Sequence, residues 1–301
     1  MSVKVGIVIN PAAGPSWRRM TIAQVEAYTH AVIDHHAADA WIAYSKGPGH
    51  AHDLALEAVA AGAHVVVAWG GDGTVNEVAS AVLYGRAVLG IVPVGSGNGL
   101  ARELEIPGNP HDALSVALAG EERSLDVGDV NGRPFFNVAG IGFDAHVAER
   151  FANARVPVRG LATYAATTLA ELFRYAPRHC TVRSGEAVLE DGRALLVTVA
   201  NTRQWGNGAR VAPRARVDDE RLDLVFVGAR HPLVVAANLW RLFWGDISDM
   251  GGVGHHLVER ATIHADPAAP VHVDGELMGH HETITIAVRN RALRVRVPAR
   301  R

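Results

Sequence analysis

Five apolar residues in a row, Val65-Val66-Val67-Ala68-Trp69, run straight into Gly70-Gly71-Asp72-Gly73-Thr74. An unbroken short apolar run suits a parallel strand buried on both faces, and such a strand needs helices to cover it. The segment Val75 to Tyr84 then reads as a helix. One carboxylate and a cluster of glycines therefore sit at the carboxyl end of a buried strand, where open α/β sheets bind ligands.

The same rhythm extends on either side. Val3 to Ile9 reads as a strand stopped by Asn10-Pro11-Ala12-Ala13-Gly14, with helices over Thr21 to His36 and Ala51 to Ala61 and a strand over Trp41 to Tyr44. Val88 to Val92 is another strand, closed by a second glycine loop, Gly95-Ser96-Gly97-Asn98-Gly99. Leu100 to Leu104 and Pro110 to Ala119 look helical. Strands alternating with helices predict an α/β domain with a parallel sheet.

Near Leu125 the rhythm changes. Short β-rich segments follow: Asp126 to Val130, Pro134 to Val138, Ala194 to Ala200, Leu222 to Val227, Ala261 to Ala265, His272 to Val273, Thr283 to Val288 and Leu293 to Val297. They predict an antiparallel sheet or sandwich, interrupted by helices over Gly160 to Tyr175 and Pro232 to Trp244. The expected domains are 1–128 and 129–301, with the last strand, about 290–301, as a segment that can pack back on the first.

Composition narrows the function classes. A chain of 301 residues with 49% hydrophobic and 20% charged residues is globular rather than disordered. The one cysteine, Cys180, excludes a disulfide framework and a Cys-rich zinc site and fits a reducing cytoplasm. A net charge of −2 provides no basic field for nucleic acid. No run reaches the roughly 18 apolar residues of a membrane span, and Pro232 to Trp244, the richest candidate, is short and broken by Arg241. The opening MSVKVGIVIN lacks the apolar core of a signal peptide. The expectation is a cytoplasmic protein whose membrane contact is peripheral. A homodimer is left open.

The two glycine loops suggest phosphate chemistry. Glycine has no Cβ, so a phosphate chain can approach the backbone, and a helix N-terminus offers unpaired N–H groups. Asp72 would repel phosphate directly; it can hold Mg²⁺, accept a proton, or simply cap the helix. Neither loop is a Walker A sequence, and neither has dinucleotide-fingerprint spacing. Asp274 and Glu276 stand two apart, so on a strand they share a side. The alternative is a hairpin tip at Asp274-Gly275.

In order, Asn10-Pro11-x-x-Gly14, Gly70-Gly71-Asp72-Gly73-Thr74-Val75-Asn76-Glu77-Val78 and Pro93-x-Gly95-Ser96-Gly97-Asn98-Gly99-Leu100-Ala101-Arg102 resemble the diacylglycerol kinase catalytic-domain family, which includes bacterial lipid kinases, sphingosine kinases and ceramide kinases. The resemblance continues through Asp126-Val127-Gly128 and Phe136-Asn137-Val138-Ala139-Gly140-Ile141-Gly142-Phe143-Asp144-Ala145. It reappears at Ala200-Asn201, Gly206-Asn207-Gly208, Ala212-Pro213-x-Ala215, Asp218-Asp219 and Val273-Asp274-Gly275-Glu276. It implies a nucleotide-binding α/β domain like that of NAD kinases and phosphofructokinases, followed by a β-sandwich-like lipid-substrate domain, with the active site between them.

It further implies that Asn10, Ser45, Gly71, Asp72, Gly73, Thr74, Gly95 and Ser96 surround ATP. Asp274 would be the base for the lipid hydroxyl, a role Asp72 could also fill, and Glu276 would serve magnesium or orientation. Arg102 is the candidate cation, with Arg18 and Arg19 as further ones, and Asp126 joins an acidic network or is merely a loop residue. Asp219 would ligate a structural magnesium, with a solvated turn as the alternative. The chain departs from many diacylglycerol kinases at Gly99, where they carry Asp, and is closer there to sphingosine kinases. The implied function is an ATP- and Mg²⁺-dependent lipid kinase. The competing readings are a kinase of a soluble substrate such as NAD, which shares Gly-Gly-Asp-Gly-Thr, and a catalytically weak nucleotide- or lipid-binding homologue. The pairs His35-His36, His255-His256 and His280-His281 lack the i, i+4 spacing of zinc ligands and read as surface or loop residues. Trp240, Phe243 and Trp244 form a helical stripe, as core or at a lipid interface.

Overall fold

A computed structural model describes residues 4–14, 21–36, 38–152, 161–206 and 208–299. Arg18, Arg19, Gly160 and Asn207 lie outside them. The chain forms two compact units, residues 1–126 with 290–301, and residues 127–289.

The first unit contains β1 (Lys4–Ile9), α1 (Ile22–His36), β2 (Asp39–Tyr44), α2 (His50–Ala60), β3 (Val65–Gly70), α3 (Asp72–Val82), β4 (Val88–Pro93), α4 (Gly99–Glu103), α5 (Pro110–Ala119) and the first part of β5 (Glu121–Val130). β1 pairs in parallel with both β2 and β3, and β3 pairs in parallel with β4. Every residue of β3 and β4 is buried, as their unbroken apolar runs require. The sheet order β4-β3-β1-β2 reverses direction between β1 and β3. Asn10 and Gly70–Gly71 leave adjacent strands at that reversal, the crevice where such sheets take ligands.

The second unit holds the rest of β5, then β6 (Arg133–Phe135), β7 (Val138–Gly142), α6 (Phe143–Ala152), α7 (Leu161–Leu172), β8 (Arg178–Ser184), β9 (Ala187–Ala200), β10 (Gln204–Gly206), β11 (Ala209–Arg210), β12 (Leu222–Gly228), α8 (Pro232–Asn238), α9 (Arg241–Trp244), β13 (Val253–Val258), β14 (Arg260–Val273) and most of β15 (Glu276–Val297). Its pairings are antiparallel: β9 with β7, β8 and β12, and β14 with β7, β8 and β15. Phe135, Val182, Val197, Ile263, Val271 and Ile284 fill one core. A second joins Leu196, Val225 and Val227 to Val235 and Leu242 of α8 and α9. The carboxylate of Glu171 on α7 is gripped by His146 first, then by Arg174 and Arg150. These partners outweigh burial and hold its pKa below the usual carboxylate value.

Several elements differ from the sequence reading, each for a local reason. Ala261 to Ala265 and His272 to Val273 belong to one strand, as do Thr283 to Val288 and Leu293 to Val297. In β15 the polar link Arg289-Asn290-Arg291 stays in strand because the Arg289 guanidinium meets Asp129 and Arg291 N–H meets Asp126 Oδ1 at 2.8 Å. Asp126 is thus a buried strand residue, not a loop residue. The expected strand Pro134 to Val138 breaks at Phe136–Asn137, whose N–H groups are taken by a side chain described below. The helix Pro232 to Trp244 divides, its junction held by i→i+3 bonds such as Phe243 N–H to Trp240 O at 3.0 Å. His255-His256 and His280-His281 lie in β13 and β15 rather than loops, and His255 and His256 pair with Asp223 and Glu190.

Cys180 is buried on β8, and burial pushes its thiol pKa up to about 11. Folded protein at about pH 8 should therefore resist thiol alkylation. Modification is expected to follow the unfolding curve in urea, as mass spectrometry would show.

Candidate functional site

Asp72 is the first residue of α3, and its carboxylate reaches across to the second glycine loop. Oδ2 accepts the N–H of Asn98 at 2.8 Å and Oδ1 accepts that of Gly99 at 2.7 Å. Gly71, not Asp72, is the N-cap of α3. The side chain instead takes the N–H groups of Asn98, the N-cap of α4, and of Gly99, its first residue, so one carboxylate ties the two loops together. Glycine is required for this closeness. A Cβ on Gly95 would lie 2.6 Å from Gly71 Cα, and one on Gly97 would lie 2.6 Å from Asp72 Oδ2. Asn98 sits in the left-handed region at φ 53° and ties its amide to Gly95 O at 2.8 Å.

Two adjoining cavities open here. The smaller, about 550 Å³, is lined by Asn10, Ala13, Gly14, Gly71, Asp72, Gly73, Thr74, Gly95 and Ser96. The larger, about 560 Å³, shares Asn10, Ala13, Gly95 and Ser96 and extends over Ile9, Ile22, Val25, Trp69, Ala101, Arg102 and Ile106. A glycine-rich compartment beside an apolar one suits a ligand with a charged chain and a flat apolar end. Asn10 is fixed by its own bonds, Nδ2 to Thr74 Oγ1 and Ala12 N–H to Oδ1, both 3.0 Å. Asn98 Oδ1 is buried without a hydrogen-bond partner in the wall of the larger cavity. Such an acceptor is costly unless a ligand or water donor meets it.

Seven expected nucleotide residues are thus together: Asn10, Gly71, Asp72, Gly73, Thr74, Gly95 and Ser96. Arg102, exposed on α4, lines the larger cavity. Ser45 does not join them. It is buried after β2 with its N–H on Ile9 O, and neighbouring Tyr44 lines the larger cavity in its place. Glu77, which the motif contains but whose role the sequence does not disclose, accepts Gly49 N–H at 2.8 Å and Ala51 N–H at 2.9 Å at the start of α2.

The second unit repeats the device. The Asp274 carboxylate accepts N–H groups from Phe136 and Asn137 at 2.8 Å and from Val138 at 3.0 Å. These donors come from the break between β6 and β7. Asp274 is left-handed at φ 48°, as a hairpin turn demands, yet its carboxyl end is enclosed. Burial pushes its pKa up, against the opposing pull of the three N–H groups and His272. Glu276 is exposed and meets Arg133 in an ion pair.

Beneath the turn lies a pair that the sequence reading did not assign. His272 Nε2 is 3.1 Å from Asp144 Oδ2, and its Nδ1 accepts Gly275 N–H at 3.3 Å. That second bond places the ring proton on Nε2, facing Asp144. A Cβ on Gly140 would overlap both groups, which explains that glycine.

Asp219 accepts Arg221 N–H at 3.2 Å, and Asp218 pairs with Arg216. Among the described residues, no group of three or more His, Cys, Asp or Glu is placed to hold a metal ion. No helix among them is long and apolar enough to cross a membrane.

Comparison with known proteins agrees along the chain. Residues 4–130 match the family described as the diacylglycerol kinase catalytic domain, and residues 137–297 match the YegS C-terminal NAD kinase beta sandwich-like domain. A Pseudomonas aeruginosa protein named "Probable lipid kinase YegS-like" is 34% identical over 83% of this chain and 82% of its own. A Chromohalobacter salexigens protein of the same name is 31% identical over 81% and 79%. Among solved structures, a diacylglycerol kinase from Bacillus anthracis superposes with TM-score 0.75 at 20% identity, covering 98% of this chain and 96% of that one. An NAD kinase from Archaeoglobus fulgidus shares the fold with TM-score 0.53 at 13% identity, over 98% and 93%.

Two outcomes test the carboxylates. Asp72→Ala should cost about 1–3 kcal/mol by orphaning two N–H groups. It should also speed hydrogen exchange at Asn98 and Gly99, which is measurable by NMR. For Asp274 the folded pKa lies above its ordinary 3.8, so the folded state binds the proton more tightly. Its contribution is fully present below the ordinary value and is lost as pH rises through the raised one. The stability of wild type relative to Asp274→Asn, read from urea melts, should fall over that window.

Proposed function

The chain belongs to the diacylglycerol kinase catalytic-domain family and is a kinase, and from that premise we propose that it transfers the γ-phosphate of ATP to a lipid hydroxyl. The acceptor class is diacylglycerol, a sphingoid base or a related lipid alcohol. The observation that carries the nucleotide part is the Asp72 clamp, which holds two glycine loops open beside an apolar cavity.

In this reading the adenosine occupies the larger cavity, between Ile9, Ile22, Val25 and Ile106. The phosphates lie along Gly71, Gly73, Thr74, Gly95 and Ser96, toward the N-terminus of α3, with Asn10 beside them. Arg102 supplies positive charge on the wall of the larger cavity, on the adenosine side of the phosphates. Asp72 acts chiefly as a positioning residue, since its carboxylate ties the second glycine loop to the start of α3.

Asp274 is the base in this proposal. Burial strengthens its hold on a proton, which suits a group that must take one from an alcohol. His272 and Asp144 steady its turn, and Glu276 orients through Arg133. Magnesium fits the all-oxygen chemistry available. It would accompany the nucleotide phosphates, and Asp219, whose carboxylate accepts the N–H of Arg221, would hold the structural ion. When bound, magnesium neutralises phosphate charge.

Labelled phosphate transfer from ATP with magnesium to lipids in mixed micelles tests the reading, with NAD as the soluble acceptor. Organic-extractable label is expected, and Asp274→Asn should reduce it by roughly two to four orders of magnitude. Label in NAD, or full activity in the variant, would overturn the acceptor or the base respectively.

A further inference from the structure

Helices α8 and α9 are apolar on the side that faces away from the fold. Val235 and Leu242 enter the core, while Leu233 is 61% exposed, Leu239 38%, Trp240 48%, Phe243 45% and Trp244 81%. A surface helix ordinarily turns polar residues outward. The one amide on this element, Asn238, spends both its groups within the helix, on Val234 O at 2.8 Å and Arg241 Nε at 2.9 Å. It offers no polar handle to a specific protein partner.

The charges nearby have one usable sign. No acidic residue occurs from Leu224 to Gly245, where the charged side chains are Arg230 and Arg241. Arg241 lies 4.9 Å from the Trp240 ring centroid. Asp246 and Asp249, which follow, are paired with Arg214 and Arg241. Arg230 is exposed and forms no ion pair among the described residues. Indole and phenyl rings beside arginine are the side chains that settle in a headgroup layer, and the spare positive charge complements an anionic one.

We propose that α8 and α9 form the surface by which this protein docks on an anionic lipid bilayer. Trp240, Phe243 and Trp244 enter the headgroup region, and Arg230 meets lipid phosphates. The choice of a bilayer rests on the lipid-acceptor reading above, because such an acceptor resides in one.

Co-sedimentation of the full chain with vesicles, without ATP, tests this. Binding should be tighter to phosphatidylcholine vesicles containing phosphatidylglycerol than to phosphatidylcholine alone, and should weaken with salt. Phe243→Ser with Trp244→Ser should weaken it about tenfold or more, whereas Trp244→Phe should restore most of it. Arg230→Glu should weaken binding to the anionic vesicles alone. Equal vesicle binding by the double variant would overturn the proposal, as would a dimer in analytical ultracentrifugation that the double variant dissolves while still binding vesicles. The kinase reading fails separately: a wild type that binds vesicles yet phosphorylates no lipid would sink that reading and leave the docking surface standing.

Discussion

The architecture of the two glycine loops depends on one carboxylate facing two backbone N–H groups. Asp72 is 26 and 27 residues from its partners, Asn98 and Gly99. The parallel sheet brings the ends of β3 and β4 side by side, but strand pairing alone does not set how far apart their loops stand. The ion does, because charge-assisted bonds to amides are short and directional. The glycines at 95 and 97 then follow as a steric consequence, since a Cβ at either would press on Gly71 or on the Asp72 carboxylate. An Asp that looks like a metal or proton group in the sequence is first of all a structural fastener.

Asp274 is the same solution in another setting. It gathers three amides from 136 to 138 residues away and so decides where β6 ends and β7 begins. The two carboxylates differ in what surrounds them. Asp274 is enclosed deeply enough that burial outweighs three N–H bonds and its proton affinity rises. The same bonding pattern thus leaves one carboxyl group with a stronger hold on its proton because of where the fold encloses it.

Sequence alone made the first unit legible because its central strands β3 and β4 are buried on both faces. Val65 to Trp69 and Val88 to Val92 have no polar residue to blur the pattern, and the glycine loops mark their ends. The second unit was harder to read because its strands are long and partly exposed. The polar stretches of β9 and β15 hide continuous strands, and their backbone bonding is decided by partners far away, such as Asp129 and Asp126 for the middle of β15. Ser45 illustrates a different limit, since one step of strand pleat separates a buried residue from a cavity-lining one, Tyr44. In α8 and α9 periodicity could not choose between core and surface, because an almost wholly apolar helix has no polar face to mark the outside. His272 and Asp144 stand 128 residues apart, and no local spacing announces their meeting.

The first unit is not a continuous piece of chain. Its sheet is completed by the far end of β15, where Val295 stands parallel to Leu89 and where Ala292, Leu293 and Val295 are buried. A ribosome therefore makes almost all of the first unit first, then the whole of the other unit, and only then the strand that covers β4. Until that moment the nascent chain carries an open hydrophobic sheet edge, the kind of surface that invites mispairing and chaperone attention. A stop codon a dozen residues early would injure the half of the molecule that was synthesised first.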